Sequence, residues 1–400
     1  MSAAHSSYSF ASRRTDDPMG SFIRSVFESL PRADQRRWAK VYLQGLIEVT
    51  GKKSIRRIAS RLLDEGTETA TQSLQQFVNQ SPWDWTPVRT RLAEVAQHMM
   101  TPHYTAVREA VIPKNGRHSV GVSRQYIPAE ERTVNCQVGI GLIRTGEWAA
   151  VPIDWRLHLQ DEWIKDARRR ERARIPDTVR AKSRAQLVLD MVDDATAHGI
   201  TLGPVVADLK QLDDMAALIV GLDDRGQDYL VEVGPDFSVI PGIHGSPSPA
   251  LAGAPGQRPA ARTTTVRQHM LPRGPHAPIR TADRRRNYVL SSLIRLPTSS
   301  SAGAMPHRIL AEWSAAHHRA RRMWLTNLAQ RDVRKLMELA GAYTHGAKAF
   351  RYLRENYGMQ DFEGRSFVGW HHHMTLVSAA YAYDSLGVAY PDSATEALSA

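Results

Sequence analysis

The residues able to do chemistry are few. Asp208 closes a short apolar run, Pro204-Val205-Val206-Ala207, so its carboxylate would stand at the end of a buried strand. Glu109 lies in a second strand-like run, Thr105 to Lys114, and Glu355 lies in a helical one. Carboxylates are the oxygen ligands that a hard cation such as Mg²⁺ requires, and it requires several. His371, His372 and His373 are consecutive on a helical stretch. Neighbours on a helix point about 100° apart, so the three cannot all face one metal. Asp213-Asp214 and Asp223-Asp224 read as helix caps or solvated pairs. No glycine-rich phosphate loop, zinc-ligand spacing or nucleophile triad stands out. The basic residues are more numerous. Lys52, Lys53, Arg56 and Arg57 cluster near one helix start, Arg284, Arg285 and Arg286 run together, and Arg365 stands alone.

The elements that must position these groups follow from hydrophobic periodicity. Residues 20–101 read as a helical N-terminal domain. Ser54 caps a helix with Ile55, Ile58, Ala59, Leu62 and Leu63 on one face. Thr86-Pro87 opens another, carrying Val88, Leu92, Val95, Ala96 and Met99. After Pro102 the period changes to two. Runs at 118–127, 134–142 and 151–159 predict an antiparallel meander with one buried face. A helix is expected over Leu187 to His198, then the strand ending at Asp208, a helix, and a strand over Tyr229 to Val233. The fold class is therefore α/β with a mixed sheet. Residues 234–306 are rich in Pro, Gly and Arg and read as an insertion, partly disordered, whose arginines reach toward a nucleic-acid backbone. Strand-like runs at 308–313 and 322–326 come next, then helices over 331–341, 346–357 and 369–386. Residues 1–19 read as a disordered tail. The domain scheme is thus 1–19, 20–101, 102–233, 234–306 and 307–400.

The totals set outer limits. The chain has 400 residues, 42% hydrophobic and 23% charged, enough for a sizeable core. Cys136 is the one cysteine, so an internal disulfide is excluded and a reducing, cytoplasmic setting is expected. No run approaches the length of a membrane span, and no membrane partner is expected. The net charge of +11 favours polyanions, chiefly DNA, and nucleoid association if DNA is bound.

Several blocks carry a resemblance. They are Ser119-Val120-Gly121-Val122-Ser123-Arg124-Gln125-Tyr126, Asn135-Cys136-Gln137-Val138-Gly139, Gln80-Ser81-Pro82-Trp83-Asp84-Trp85, Asp154-Trp155-Arg156-Leu157, Arg174-Ile175-Pro176-Asp177 and Val205-Val206-Ala207-Asp208. Phe362-Glu363-Gly364-Arg365-Ser366 and Gly369-Trp370-His371-His372-His373 complete the set. In order over about residues 20–385, they resemble bacterial insertion-sequence transposases of the DDE superfamily, the large actinobacterial type also described as DDE endonucleases. The resemblance implies an RNase H-like core, an insertion before the last catalytic helix, a DNA-binding helical N-terminus and two Mg²⁺ ions held by three carboxylates. Because the family shares the histidine run, it also implies packing for those residues.

Placed in the family's register, two of the three acids are missing. The first position, ahead of Pro113-Lys114, is Arg108; Glu109 is one residue off and faces the other side of the sheet. The second is Asp208, without the Tyr-Gly pair that usually follows. The third is Ala347, after Gly346 where an apolar residue is expected; Glu355 lies about 12 Å further along the helix. Arg108 and Asp208 are expected to pair across the vacated site. The resulting expectation is a transposase-derived DNA-binding protein without strand transfer, with no resident cofactor and Mg²⁺ only if activity survives. Domestication as a regulator is its expected role, and a homodimer is an expected assembly. The alternatives are an active or recently inactivated transposase, or an enzyme or interaction module built on the old fold.

Overall fold

Five helices open the chain: α1 (Pro18–Val26), α2 (Ala33–Glu48), α3 (Ile55–Leu62), α4 (Thr67–Asn79) and α5 (Trp85–Met99). The structure, a computed structural model, describes residues 17–63, 67–101, 104–127, 131–208, 214–242, 263–270, 287–297, 306–314 and 319–387. Local chemistry starts these helices where the sequence predicts. The Ser54 side chain accepts from the Arg57 amide, and Asp84 caps α5 by accepting from Thr86 N at 2.8 Å. Val88, Leu92, Val95 and Ala96 form the buried stripe of α5.

The core sheet begins with β1 (Tyr104–Pro113), β2 (Ser123–Ile127), β3 (Arg132–Thr145) and β4 (Ala150–Leu157). After α6 (Asp161–Lys165), α7 (Ala167–Arg172) and α8 (Arg184–Ala197) come β5 (Val205–Asp208), α9 (Met215–Asp224) and β6 (Tyr229–Glu232). β3 pairs antiparallel with β1, β2 and β4, whereas β5 is parallel to both β1 and β6. The resulting order β4-β3-β1-β5-β6 is an RNase H-like core, as expected. The first meander strand starts later than the periodicity suggests, at Ser123. Gly121 has φ +72° and turns the chain, and a Cβ there would also press on Leu157 and Leu159.

Beyond β6 the sheet continues. β7 (Ser238–Pro241), β8 (Thr264–Thr265), α10 (Val266–Met270) and β9 (Asn287–Arg295) come from the expected insertion. β10 (His307–Ser314) and β11 (Arg319–Thr326) follow it. β6 pairs with β11, β11 with β10, β10 with β9 and β9 with β7, all antiparallel. The insertion is thus built into the sheet where it is described. The tail up to residue 16 and much of 243–286 lie outside the described residues.

Two helices complete the fold: α11 (Val333–Asn356) and α12 (Phe367–Leu386). The sequence suggests two helices across 331–357, but α11 is continuous. Gly341 and Gly346 look like breakers. Gly346 instead lets the helix approach β1, because a Cβ there would sit 3.0 Å from the Ala106 Cβ. α11 covers one face of the sheet with Leu336, Leu339, Ala340 and Tyr343, over Ala106, Val206 and Leu230. The other face packs with α8 and α9 through Val107, Val205 and Ala207. α12 contacts α2, α4 and α5 on one side and β4 on the other, which ties the N-terminal helices to the core. No helix among the described residues is long and apolar enough to cross a membrane.

Gly141 shows how tightly the α11 face is filled. It pairs with Arg108 on β1 and Trp155 on β4, and a Cβ there would meet the Trp155 ring at 2.9 Å. Trp155 is fully buried, and its Nε1 donates to Ser378 Oγ at 2.7 Å, so the ring has little room to yield. Gly141→Ala is expected to lose about 1–3 kcal/mol through overpacking. Urea unfolding of the variant against the wild type measures it; an unchanged midpoint would show that the ring moves freely.

Candidate functional site

Arg108 and Asp208 are brought side by side by the fold. The parallel register pairs Val107 with Ala207, so the next residues along β1 and β5 are Arg108 and Asp208. Their neighbours Ala106 and Val206 lie under α11, and alternation puts Arg108 and Asp208 on that same face. Glu232 pairs with Asp208 across β5 and β6 and extends the row. Trp324 on β11 pairs with Glu232, and Arg322 lies two residues before it on the same face. The α11 face therefore carries a transverse line of charge: Arg108, Asp208, Glu232, Arg322.

The expected Arg108–Asp208 ion pair does not form. The Arg108 guanidinium lies over the Tyr343 ring, 3.6 Å from its centroid, and donates from Nη2 to the Tyr343 carbonyl at 2.6 Å. Burial lowers the Arg108 pKa, partly offset by Tyr343 and Asp208. The cation that meets Asp208 is Arg322, at 3.9 Å. Arg322 also holds Glu232 through Nε at 2.8 Å and Nη2 at 2.5 Å. It rests on the Trp324 ring, 4.2 Å from the centroid. Burial opposes its charge, but the bonds to and charge of Glu232, with Glu312 and Asp208, raise its pKa overall. Asp208 itself is anchored from α11, since its amide donates to the Tyr343 hydroxyl at 3.2 Å. The physical reason for the different pairing is geometric. A ring stack and a carbonyl from α11 draw Arg108 toward the helix, and the sheet extension delivers a second guanidinium from the opposite side.

At the third position that the resemblance implies, α11 carries no acid. Gly346 faces Ala106 and Arg108, and Ala347 beside it is half-buried. Glu355 is exposed and lies about 18 Å along α11 from Tyr343 at ~1.5 Å per residue. Glu109 turns to the other side of the sheet, where Arg184 of α8 meets it at 3.2 Å. Burial raises the Glu109 pKa against the pull of Arg184.

These residues do not fit a pair of divalent ions. Hard cations take several oxygen ligands. Asp208 is the one carboxylate at the three positions, a guanidinium already faces it, and a second lies alongside. Among the described residues no group of three or more His, Cys, Asp or Glu is arranged to hold a metal.

His371, His372 and His373 are buried and each ring points to different partners. His371 Nδ1 accepts from Arg89 at 3.2 Å, and His373 Nδ1 lies 3.0 Å from the Tyr42 hydroxyl. His372 lies 3.0 and 2.8 Å from the Val78 and Trp83 carbonyls. Arg89 is the hub of this region: it also binds Thr375, Asp154 and the Trp155 carbonyl, and burial pushes its pKa down to about 10. Lys53, grouped by sequence with exposed cations, is buried, because its Nζ turns inward to the Val49 carbonyl. Lys52 is exposed and pairs with Glu363 at 2.5 Å, while Arg56 and Arg57 are exposed on α3. Arg365 is exposed just before α12. Arg284, Arg285 and Arg286 lie outside the described residues.

Sequence reasoning missed Arg322, Glu232 and Tyr343. One signal was available. Tyr229-Leu230-Val231-Glu232 repeats the apolar-then-acid form of Val205-Val206-Ala207-Asp208, which puts two carboxylates at the ends of adjacent parallel strands.

The family model described as DDE superfamily endonuclease matches residues 25–287. That span is well over half the chain and contains Arg108 and Asp208 with the strands that carry them. The chain belongs to this DDE superfamily endonuclease family. No curated protein matches it significantly. The DDE match ends before β10, β11 and α11, so Arg322 and the Gly346-Ala347 pair lie on segments beyond it. Around Asp208 and Glu232 the α11 face also carries Arg108, Arg322 and Tyr343.

Proposed function

We propose that this chain is a transposase-derived DNA-binding protein that has lost strand cleavage, with a role in regulating DNA. The observation that carries this reading is the Asp208 site: its carboxylate meets Arg322, and Arg108 and Ala347 stand where the family has acids. A guanidinium fixed beside a carboxylate neutralises it and repels a divalent ion. Family membership and the net charge of +11 support DNA as the partner. The exposed Arg56 and Arg57 on α3 and Arg365 before α12 are the phosphate contacts this reading favours.

The test uses the whole chain with supercoiled plasmid and with short duplexes. No nicked or linear product is expected with Mg²⁺ or Mn²⁺. Duplex affinity is expected to fall steeply with salt. Metal-dependent nicking that disappears in Asp208→Ala would sink the proposal in favour of an active transposase. Lack of duplex binding near physiological salt would instead favour a module repurposed for another partner.

A further inference from the structure

Three segments far apart in sequence bring arginines to one cavity of about 390 Å³. Arg117 and His118 come from the turn after β1, Arg169 and Arg172 from α7, and Arg365 from the residue before the α12 cap. The segments are fixed to one another through their backbones. Val120 N donates to the Arg365 carbonyl at 3.1 Å, and Phe367 N to the Ala173 carbonyl at 2.7 Å. Trp163 Nε1 donates to the Val122 carbonyl at 3.0 Å, which holds α6 against the same turn. The arrangement is therefore built by the fold and is not a chance meeting of long side chains.

Its charge is not compensated from within. Arg169 shares Glu162 at 3.6 Å and Asp166 at 3.5 Å. Arg117, Arg172 and Arg365 are exposed, and none has a carboxylate partner among the described residues. Elsewhere on the surface arginines do find acids, as Arg225 does with Asp193 at 2.6 Å. Three unpaired guanidiniums held around one cavity repel each other, and an anion with several oxygens relieves that repulsion. The volume exceeds what one phosphate fills and lies in the range of pockets that take larger ligands. The cavity sits off the C-terminal end of β1, where the five steps from Arg108 to Pro113 span about 17 Å.

We infer that this cavity is a phosphate-binding site that takes successive phosphodiester groups of a DNA backbone. The backbone source rests on the DNA-binding reading above; the phosphate chemistry does not. Arg117, Arg169 and Arg172 join Arg365 as contacts, and they position a strand without reading its sequence.

The experiment compares the wild type with Arg117→Ser/Arg172→Ser/Arg365→Ser and with a charge-matched control, Arg331→Ser/Arg334→Ser/Arg351→Ser, on exposed positions elsewhere. Duplex affinity is measured from 50 to 300 mM salt, settings chosen because each phosphate contact contributes about 0.9 to the log–log slope. The cavity variant is expected to have a slope shallower by roughly 2–3, and the control is expected to change less than half as much. Equal changes in both variants would assign the effect to net charge and overturn the inference. A second arm records melting temperature with inorganic pyrophosphate. A rise in the wild type that the cavity variant loses, with no change in its duplex slope, would keep the phosphate site and reject the backbone as its source. Absence of both effects would overturn the site altogether. Failure of the wild type to bind duplex at all overturns the DNA reading, and the pyrophosphate arm still decides the cavity.

Discussion

Arg322→Met is expected to remove about 3–5 kcal/mol of folding stability, because it takes from a buried acid the guanidinium that binds it through two nitrogens. Glu232 is fully buried and receives both the Nε and Nη2 bonds of Arg322. Methionine fills the space of the stem over Trp324 but supplies no charge. Asp208 and Glu232, paired in register, would then face one another with Arg108 drawn away toward Tyr343. Two such carboxylates form the start of a cation site. Millimolar Mn²⁺ should therefore raise the melting temperature of the variant and leave the wild type unchanged. Arg322→Lys should fall between the two, since an ammonium keeps the charge but loses the fork. Equal stability of wild type and Arg322→Met, or a larger Mn²⁺ effect in the wild type, would show that the guanidinium does not hold the cation position.

This prediction rests on a residue that the sequence does not single out. Asp208 was legible because it ends an apolar run, and Arg108 because the resembled family's register against Pro113-Lys114 implies it. The meander and α8 were legible for a similar reason, since their period is a local property. Arg322 is different. It reaches Asp208 only because the chain runs through β7–β10 and returns as β11 beside β6. No local pattern encodes which strand closes that excursion, so the cation of the site was assigned to the nearer arginine. α11 was expected as two helices but is continuous, and at Gly346 it approaches β1 so closely that a Cβ would sit 3.0 Å from the Ala106 Cβ. Lys53 joined the exposed cations by composition, whereas its burial depends on packing against Gly358 and Asp361 far down the chain.

The histidine run makes the second large prediction, which concerns acid. A rule on helix geometry was enough to reject a shared metal, but the partners come from helices at the other end of the chain. His371 stacks on Trp85 and His372 on Trp83, with ring centroids 4.5 and 3.7 Å apart. Burial is the first cause in each case. It pushes His372 down to about 4 although two carbonyls favour its proton, and His373 down to about 3 with help from the charge of Lys114. His371 is lowered well below 6.5 by burial and by Arg89. A histidine whose folded pKa lies below its unfolded value binds fewer protons in the folded state, so stability falls as pH drops below the unfolded pKa. The loss begins near pH 6.5 and continues down to the folded values. His372 and His373 together lose about 6 kcal/mol by pH 4, at up to ~1.4 kcal/mol per pH unit each. A typical domain has about 5–15 kcal/mol in total. The chain is therefore expected to unfold between pH 5.5 and 4, with the histidine loss already under way above the pH where carboxylates titrate. Thermal melts from pH 7.5 to 4 follow the loss. His373→Gln separates this cause from others: whatever its absolute stability, its melting temperature should fall less steeply with acid. A melting temperature that stays level from pH 7 to 4.5 would show that the three rings accept protons in place.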